Sequence, residues 1–116
     1  MTFNIKEFAK EWIESWNSHE LDRILSHYSD NFEITTPMIK MALGIETGTL
    51  KGKDNIRQYW EAAFKKVPDL HFELKEVTEG IGSIAIYYKS VLGKMAIEVT
   101  FFNEKGNVNK VIAHYN

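Results

Sequence analysis

The hydrophobic residues of this chain follow two different periods, and the change occurs at Pro68. In residues 3–16 apolar side chains recur with the i, i+3, i+4, i+7 spacing of one helix face. The same spacing predicts a second helix over residues 20–28 and a third that Gly52 opens and Val67-Pro68 ends. After Pro68 apolar and polar residues alternate, which is the period of a β-strand. This alternation predicts four strands, over residues 70–78, 83–92, 95–102 and 107–115.

Helices followed by a meander of strands are typical of an α+β domain. The length of 116 residues suits one domain, so we expect a single domain over residues 1–116. Short turns between the strands make the predicted sheet antiparallel. Three amphipathic helices on one face of a twisted sheet predict a strongly curved sheet that wraps around them. The expected shape is a cone, or α+β barrel, with an aromatic-lined mouth.

Local signals refine the limits of the first elements. Thr2 is a candidate cap for the first helix, and Asn17 is a candidate for its end. Residues 32–36 predict a short strand, which Pro37 stops because proline cannot donate to a strand ladder.

Three further signals come from methionines and glycines. Residues 38–51 predict a loop, in which Met38 and Met41 are suited to form a flexible lid. The strand alternation slips at Val77, which predicts a β-bulge or a bend. The pair Gly93-Lys94 predicts a two-residue hairpin turn.

Composition excludes several classes of function. The 14 basic and 16 acidic residues nearly balance, and Lys65-Lys66 is the longest basic run, so we expect no nucleic-acid partner. No apolar run is long enough to span a membrane, and no signal peptide is recognisable, so we expect no membrane partner. The absence of cysteine excludes disulfides and thiolate chemistry and is compatible with the cytoplasm, which is the expected compartment.

Four segments resemble the SnoaL-like families. The run WIESWNSHELD (residues 12–22) is similar to their first two helices, and YSDNF (residues 28–32) to the approach to their first strand. LKGKDNIRQYW (residues 50–60) resembles their glycine-led third helix, and PDLHFE (residues 68–73) the entry to their main sheet. The resemblance covers nearly the whole chain. It implies the cone of nuclear transport factor two, a fold that hosts isomerases, cyclases, dehydratases, hydrolases, binding modules and dimer scaffolds.

Ketosteroid isomerase is the relative whose chemistry is easiest to compare. Its general-base aspartate precedes a proline at the end of the first strand, where this chain has Thr36. Its oxyanion-hole tyrosine corresponds to Trp12, which has an N–H but no acidic hydroxyl. Its oxyanion-hole carboxylic acid corresponds to Glu98. Since two of the three catalytic positions differ, we do not expect steroid isomerisation by that mechanism.

Glu98 is the candidate catalytic residue, and its orientation has two interpretations. Met95, Ile97, Val99 and Phe101 form the more apolar side of their strand, so periodicity alone places Glu98 towards solvent. The resemblance implies the opposite, with Glu98 facing the pocket. There, desolvation would raise its pKa and make it a usable acid or base.

The remaining site residues are mostly aromatic, because 13% of the chain is Phe, Trp or Tyr and ligand pockets are lined mostly by apolar side chains. We expect the pocket to be lined by Trp12, Trp16, Phe32, Thr36, Met38, Tyr59, Trp60, Tyr87, Thr100, Phe102 and Tyr115. The four histidines show no metal-ligand spacing, so we expect neither a metal nor a cofactor.

Three functions remain open. The first is a protein that binds a small, mostly apolar molecule. The second is an isomerase, cyclase or dehydratase that uses Glu98 as acid or base. The third is a dimeric interaction scaffold. If Val99, Phe101 and Ile112 face outward, they form an apolar patch, and a homodimer through the outer face of the sheet would bury it.

Overall fold

The structure, a computed structural model, describes residues 4–116 and has the predicted α+β architecture. Its helices are α1 (Ile5–Ser18), α2 (Leu21–Leu25), α3 (Pro37–Leu43) and α4 (Lys53–Lys66). Its strands are β1 (Tyr28–Thr35), β2 (Thr49–Lys51), β3 (Glu73–Gly80), β4 (Ser83–Lys89), β5 (Met95–Phe102) and β6 (Val108–Tyr115). The candidate cap Thr2 lies outside the described residues.

One six-stranded sheet in the order β2-β1-β6-β5-β4-β3 forms the body of the protein. The meander from β3 to β6 is antiparallel, as predicted from its short turns. The pairing of β1 with β6 is parallel, which the expectation of an antiparallel sheet missed. Parallel neighbours need a long connection, and here most of the chain lies between the two strands. The predicted slip before Val77 is confirmed as a register shift between Leu74 and Glu76.

Residues 38–51 contain regular structure rather than the predicted loop. The hydroxyl of Thr36 accepts a hydrogen bond from the backbone N–H of Met38 at 3.2 Å and so caps α3. Pro37 is the first helical residue, where its missing N–H costs nothing. The short strand β2 then pairs with β1. The sequence Thr-Pro thus ends a strand and also begins a helix, and the prediction used only the first half of that signal.

Helix α1 begins and ends at residues other than those predicted. The side chain of Asn4 accepts hydrogen bonds from the backbone N–H groups of Lys6 and Glu7. At the other end His19, whose φ of 63° is left-handed, is the C-cap residue that follows Ser18. Asn17 lies within the helix. Its side chain accepts from the backbone N–H of Phe72 at 2.7 Å and donates to the Phe72 carbonyl at 3.0 Å.

The second helix and the β4–β5 turn also differ from expectation. Helix α2 ends at Leu25, and Tyr28 already begins β1. The central residues of the turn are Leu92 and Gly93, both with positive φ, rather than Gly93 and Lys94. A turn of this type requires a left-handed conformation at both central positions, and leucine is a poor signal for it.

Aromatic rings join the helices to the inner face of the sheet. The Trp16 ring lies 4.8 Å from the Trp60 ring and 5.4 Å from the Phe72 ring, measured between centroids. The Trp12 ring meets the Tyr88 ring edge to face at 5.1 Å. Such pairs stabilise a core beyond the area they bury. They hold α1 and α4 against the sheet, and four of these rings, Trp16, Trp60, Phe72 and Tyr88, also line a cavity.

Candidate functional site

A cavity of about 380 Å³ lies between the inner face of the sheet and helices α1, α3 and α4. This volume is within the range of sites for small organic ligands. Seven of the residues named from the sequence line it: Trp16, Thr36, Met38, Tyr59, Trp60, Glu98 and Tyr115. Ten other described residues also line it: Ile34, Met41, Ala42, Ala63, Val67, Leu70, Phe72, Tyr88, Ser90 and Val91.

Five predicted lining residues lie elsewhere in the structure. Trp12, Phe32 and Thr100 are almost completely buried and belong to the packed core. The indole N–H of Trp12 donates to the Tyr28 hydroxyl at 2.9 Å, so it is not available to a ligand. Phe102 packs against Phe8, with ring centroids 5.1 Å apart. None of these four side chains is among the described residues that line the cavity.

Tyr87 is the fifth predicted residue that lies outside the cavity lining, and its neighbour Tyr88 lines the cavity instead. Consecutive strand residues point to opposite faces, so only one of the two tyrosines can face inward. Ile84, Ile86 and Tyr88 are buried on the inner face, whereas Tyr87 is 41% exposed on the outer face. The alternation of isoleucines along β4 is the signal that identifies Tyr88 from the sequence.

Glu98 faces inward, as the resemblance implied and strand periodicity did not. It lies between Ala96 and Thr100 on the buried side of β5 and is only 7% exposed. The Tyr88 hydroxyl donates a hydrogen bond to its Oε1 at 3.2 Å. Burial raises the pKa of Glu98 to about 7, although the bond from Tyr88 acts in the opposite direction. Glu98 can therefore exchange a proton near neutral pH.

Three tyrosines surround this carboxyl group. Tyr59 on α4, Tyr88 on β4 and Tyr115 on β6 all have a pKa raised above the ordinary value, first by burial and also by the charge of Glu98. The pKa of Tyr59 is raised to about 12. The Tyr115 hydroxyl lies within hydrogen-bond reach of Tyr88 and Ser90. The tyrosines therefore stay neutral and present hydroxyl groups around Glu98.

Thr36 and the histidines have structural positions. The Thr36 hydroxyl caps α3. His71 and His114 are exposed, and His19 contacts the carbonyl oxygen of Leu70 at 2.7 Å. His27 packs against the Phe8 ring and lies close to Glu11, and it is partly buried.

Within residues 4–116, no three side chains of His, Cys, Asp or Glu lie close enough together to hold a metal ion. Among the helices of this part of the chain, none is long and apolar enough to cross a membrane.

The profile of the SnoaL-like domain family matches residues 9–115. This chain belongs to the SnoaL-like family. A SnoaL-like protein of unknown function from Burkholderia thailandensis is 44% identical, with 96% of this chain and 92% of that chain covered and a TM-score of 0.94. No curated protein matches the chain.

More distant structures share the fold of this SnoaL-like protein. An NTF2-like protein of unknown function from Cytophaga hutchinsonii is 12% identical, with a TM-score of 0.75 over 100% of this chain and 93% of that chain. The epoxide hydrolase/cyclase-like enzyme SalBIII of salinomycin pyran ring formation is 17% identical, with a TM-score of 0.72 over 96% of this chain and 89% of that chain. At these identities the likeness extends to the fold alone.

Proposed function

We propose that this SnoaL-like protein binds a small, mostly apolar molecule in its cavity. The lining supports this proposal, because aromatic and aliphatic side chains surround one buried carboxyl group. Apolar walls with a few polar groups are typical of sites that bind and orient small ligands. The observation that carries the proposal is Glu98 itself. A carboxyl group held in an apolar cavity is costly for folding, and a ligand that meets it offsets that cost.

A thermal-shift screen with small hydrophobic molecules tests the proposal, since a ligand that binds only the native state raises the melting temperature. Two adjacent alanines on α4 provide matched variants. Ala63 lines the cavity, so Ala63→Trp should fill it and abolish the shift. Ala62 is exposed beside it, and Ala62→Trp should preserve the shift. A shift that survives Ala63→Trp would place the binding site elsewhere.

Proton transfer by Glu98 is the second candidate function. It is favoured by the pKa of about 7, which lets the same group accept and donate a proton at neutral pH. The Tyr115 hydroxyl would orient a carbonyl or hydroxyl group of the substrate. The reaction would be of the isomerase, cyclase or dehydratase type. Wild type and Glu98→Gln should be compared on a panel of enolisable ketones, where equal turnover would exclude Glu98 as the acid or base.

We also propose a homodimer through the outer face of the sheet. Val99, Phe101 and Ile112 are partly exposed there, next to Tyr87 and Ile97, which are 41% and 39% exposed. An apolar face of this kind is costly to leave in water. Light scattering at micromolar concentration should give twice the 13.5 kDa chain mass for wild type and the monomer mass for Ile97→Lys. If the screen finds no ligand and the dimer persists, the interaction-scaffold alternative is favoured.

A further inference from the structure

Among the described residues, the lining of the cavity includes one group that titrates near neutral pH and no cationic side chain. Of the lining residues that the structure describes, Glu98 alone is charged near neutral pH, since no Lys, Arg or His is among them. The other titratable groups near Glu98 are the hydroxyls of Tyr28, Tyr59, Tyr88 and Tyr115, and each has a raised pKa. They remain neutral between pH 5 and 9. When Glu98 is ionised, its charge therefore has no partner of opposite sign among the described residues that line the cavity.

The two oxygens of Glu98 differ in what they contact. Oε1 accepts the hydrogen bond from Tyr88. Among the described residues, none donates a hydrogen bond to Oε2. A buried carboxylate with one oxygen unpaired is stabilised most by a group that brings both a positive charge and N–H donors.

Aromatic rings provide the other half of a site for a cation. The lining includes Trp16, Tyr59, Trp60, Tyr88 and Tyr115, on α1, α4, β4 and β6. The face of an aromatic ring carries negative potential, and it attracts an ammonium group most strongly where water is excluded. The same rings contribute apolar surface for the body of a ligand.

We propose that the ligand of this cavity is a hydrophobic amine that binds as an ammonium ion, with its N–H groups on Oε2 of Glu98. This proposal rests on the proposed ligand-binding function and names the class of ligand. A carboxylate or phosphate ligand would bring a second negative charge beside Glu98 with no cation to balance it, so anions should be excluded. A neutral alcohol would bind only through its apolar body and a single hydrogen bond.

Matched probes that differ only in their polar group test this assignment. Cyclohexylmethylamine, cyclohexanemethanol and cyclohexanecarboxylate form one set, and the corresponding phenylpropyl and adamantyl compounds form two more. Calorimetric titration of the full chain at pH 8 should show the amine of at least one set binding ten times or more tighter than its alcohol. The carboxylates should not bind. In Glu98→Gln the amine and the alcohol should bind equally.

The pH dependence of amine affinity in the wild-type protein is a second test, and it needs no variant. Since protonation removes the charge of Glu98, amine affinity should fall tenfold or more between pH 8 and pH 5.5, while alcohol affinity stays constant. Alcohols that bind as tightly as amines at pH 8 would overturn the amine assignment and leave the ligand-binding proposal intact. Failure of all nine probes to bind, together with a hydrophobic screen that gives no shift, would overturn both.

Discussion

The Tyr88 hydroxyl lies 3.2 Å from Oε1 of Glu98 and donates a hydrogen bond to it across neighbouring strands. In the register of β4 and β5, Ile86 is opposite Glu98 and Tyr88 is opposite Ala96, so the two residues are diagonal neighbours on the inner face. This bond favours the ionised carboxylate, and burial disfavours it. The balance leaves the pKa of Glu98 at about 7, against an ordinary value of 4.5.

The first prediction concerns the stability of the fold as a function of pH. The folded state of wild type binds a proton on Glu98 up to about pH 7, whereas the unfolded chain releases it near pH 4.5. The contribution of this group is therefore complete below pH 4.5 and is lost as pH rises towards 7. Since each tenfold change in acidity corresponds to about 1.4 kcal/mol, the loss is about 3 kcal/mol.

Glu98→Gln removes this dependence while keeping the shape and an acceptor for Tyr88. The difference in free energy of unfolding between variant and wild type, measured by urea denaturation, should favour the variant by about 3 kcal/mol more at pH 8 than at pH 4.5. A difference that is constant across this range would mean that Glu98 titrates in the folded protein as it does in the unfolded chain.

The second prediction tests the contribution of Tyr88 to the pKa of Glu98. Tyr88→Phe removes the donor that stabilises the carboxylate, so the pKa of Glu98 should rise above its wild-type value. The fold should lose about 1 kcal/mol at pH 8. The carboxyl carbon of Glu98, followed by NMR through a pH titration, reports the change directly. Tyr87→Phe is the matched control, and its titration curve should overlay that of wild type.

The fold was predictable where local patterns decide it. Residues close together in the chain determine the apolar stripes of α1 and α4, the meander after Pro68 and the slip before Val77. The parallel pairing of β1 with β6 was not, because it depends on how segments far apart in sequence meet. Helix α3 and strand β2 were missed because both are short, so their hydrophobic period is too brief to recognise.

The site was predictable in part, for a reason that Glu98 illustrates. On β5 the outer face, with Ile97 and Val99, is more apolar than the inner face, which carries Glu98 and Thr100. Periodicity therefore placed Glu98 towards solvent, and only the family resemblance oriented the strand correctly. On β4, by contrast, the alternation of Ile84 and Ile86 indicates Tyr88, and the choice of Tyr87 overlooked it. Lining residues such as Ala63 and Val67 were missed because small or common side chains carry no chemical signal.

The third prediction concerns the attachment of α1 to the sheet. Asn17 makes two hydrogen bonds to the backbone of Phe72, just before β3 begins. Asn17→Ala leaves that N–H and carbonyl without their partner, so the free energy of unfolding should fall by about 2 kcal/mol. Asn109 is exposed on β6, and Asn109→Ala should change stability by less than about 0.5 kcal/mol. Equal effects in urea denaturation would show that the contacts of Asn17 with Phe72 add nothing to the fold.

The fourth prediction compares Gly44 and Gly48, two glycines that follow helix α3, which carries Met38 and Met41. Gly44 and Gly48 have similar left-handed φ values of 69° and 66°, so alanine is strained at both by about 1 kcal/mol. Their surroundings differ. A Cβ at Gly48 would lie 2.9 Å from the carbonyl oxygen of Thr36, whereas a Cβ at Gly44 would have nothing within 4 Å.

Gly48→Ala should therefore destabilise the protein clearly more than Gly44→Ala does, by at least about 1 kcal/mol in urea denaturation. The backbone of Gly48 also accepts a hydrogen bond from the Thr36 N–H at 2.9 Å, so the clash falls where β1 ends and the cavity wall begins. Ligand-induced thermal shifts should shrink in Gly48→Ala and persist in Gly44→Ala. Equal losses of stability in the two variants would mean that the β1–β2 junction yields to the added methyl group, and that the Thr36 wall is not held by this close approach.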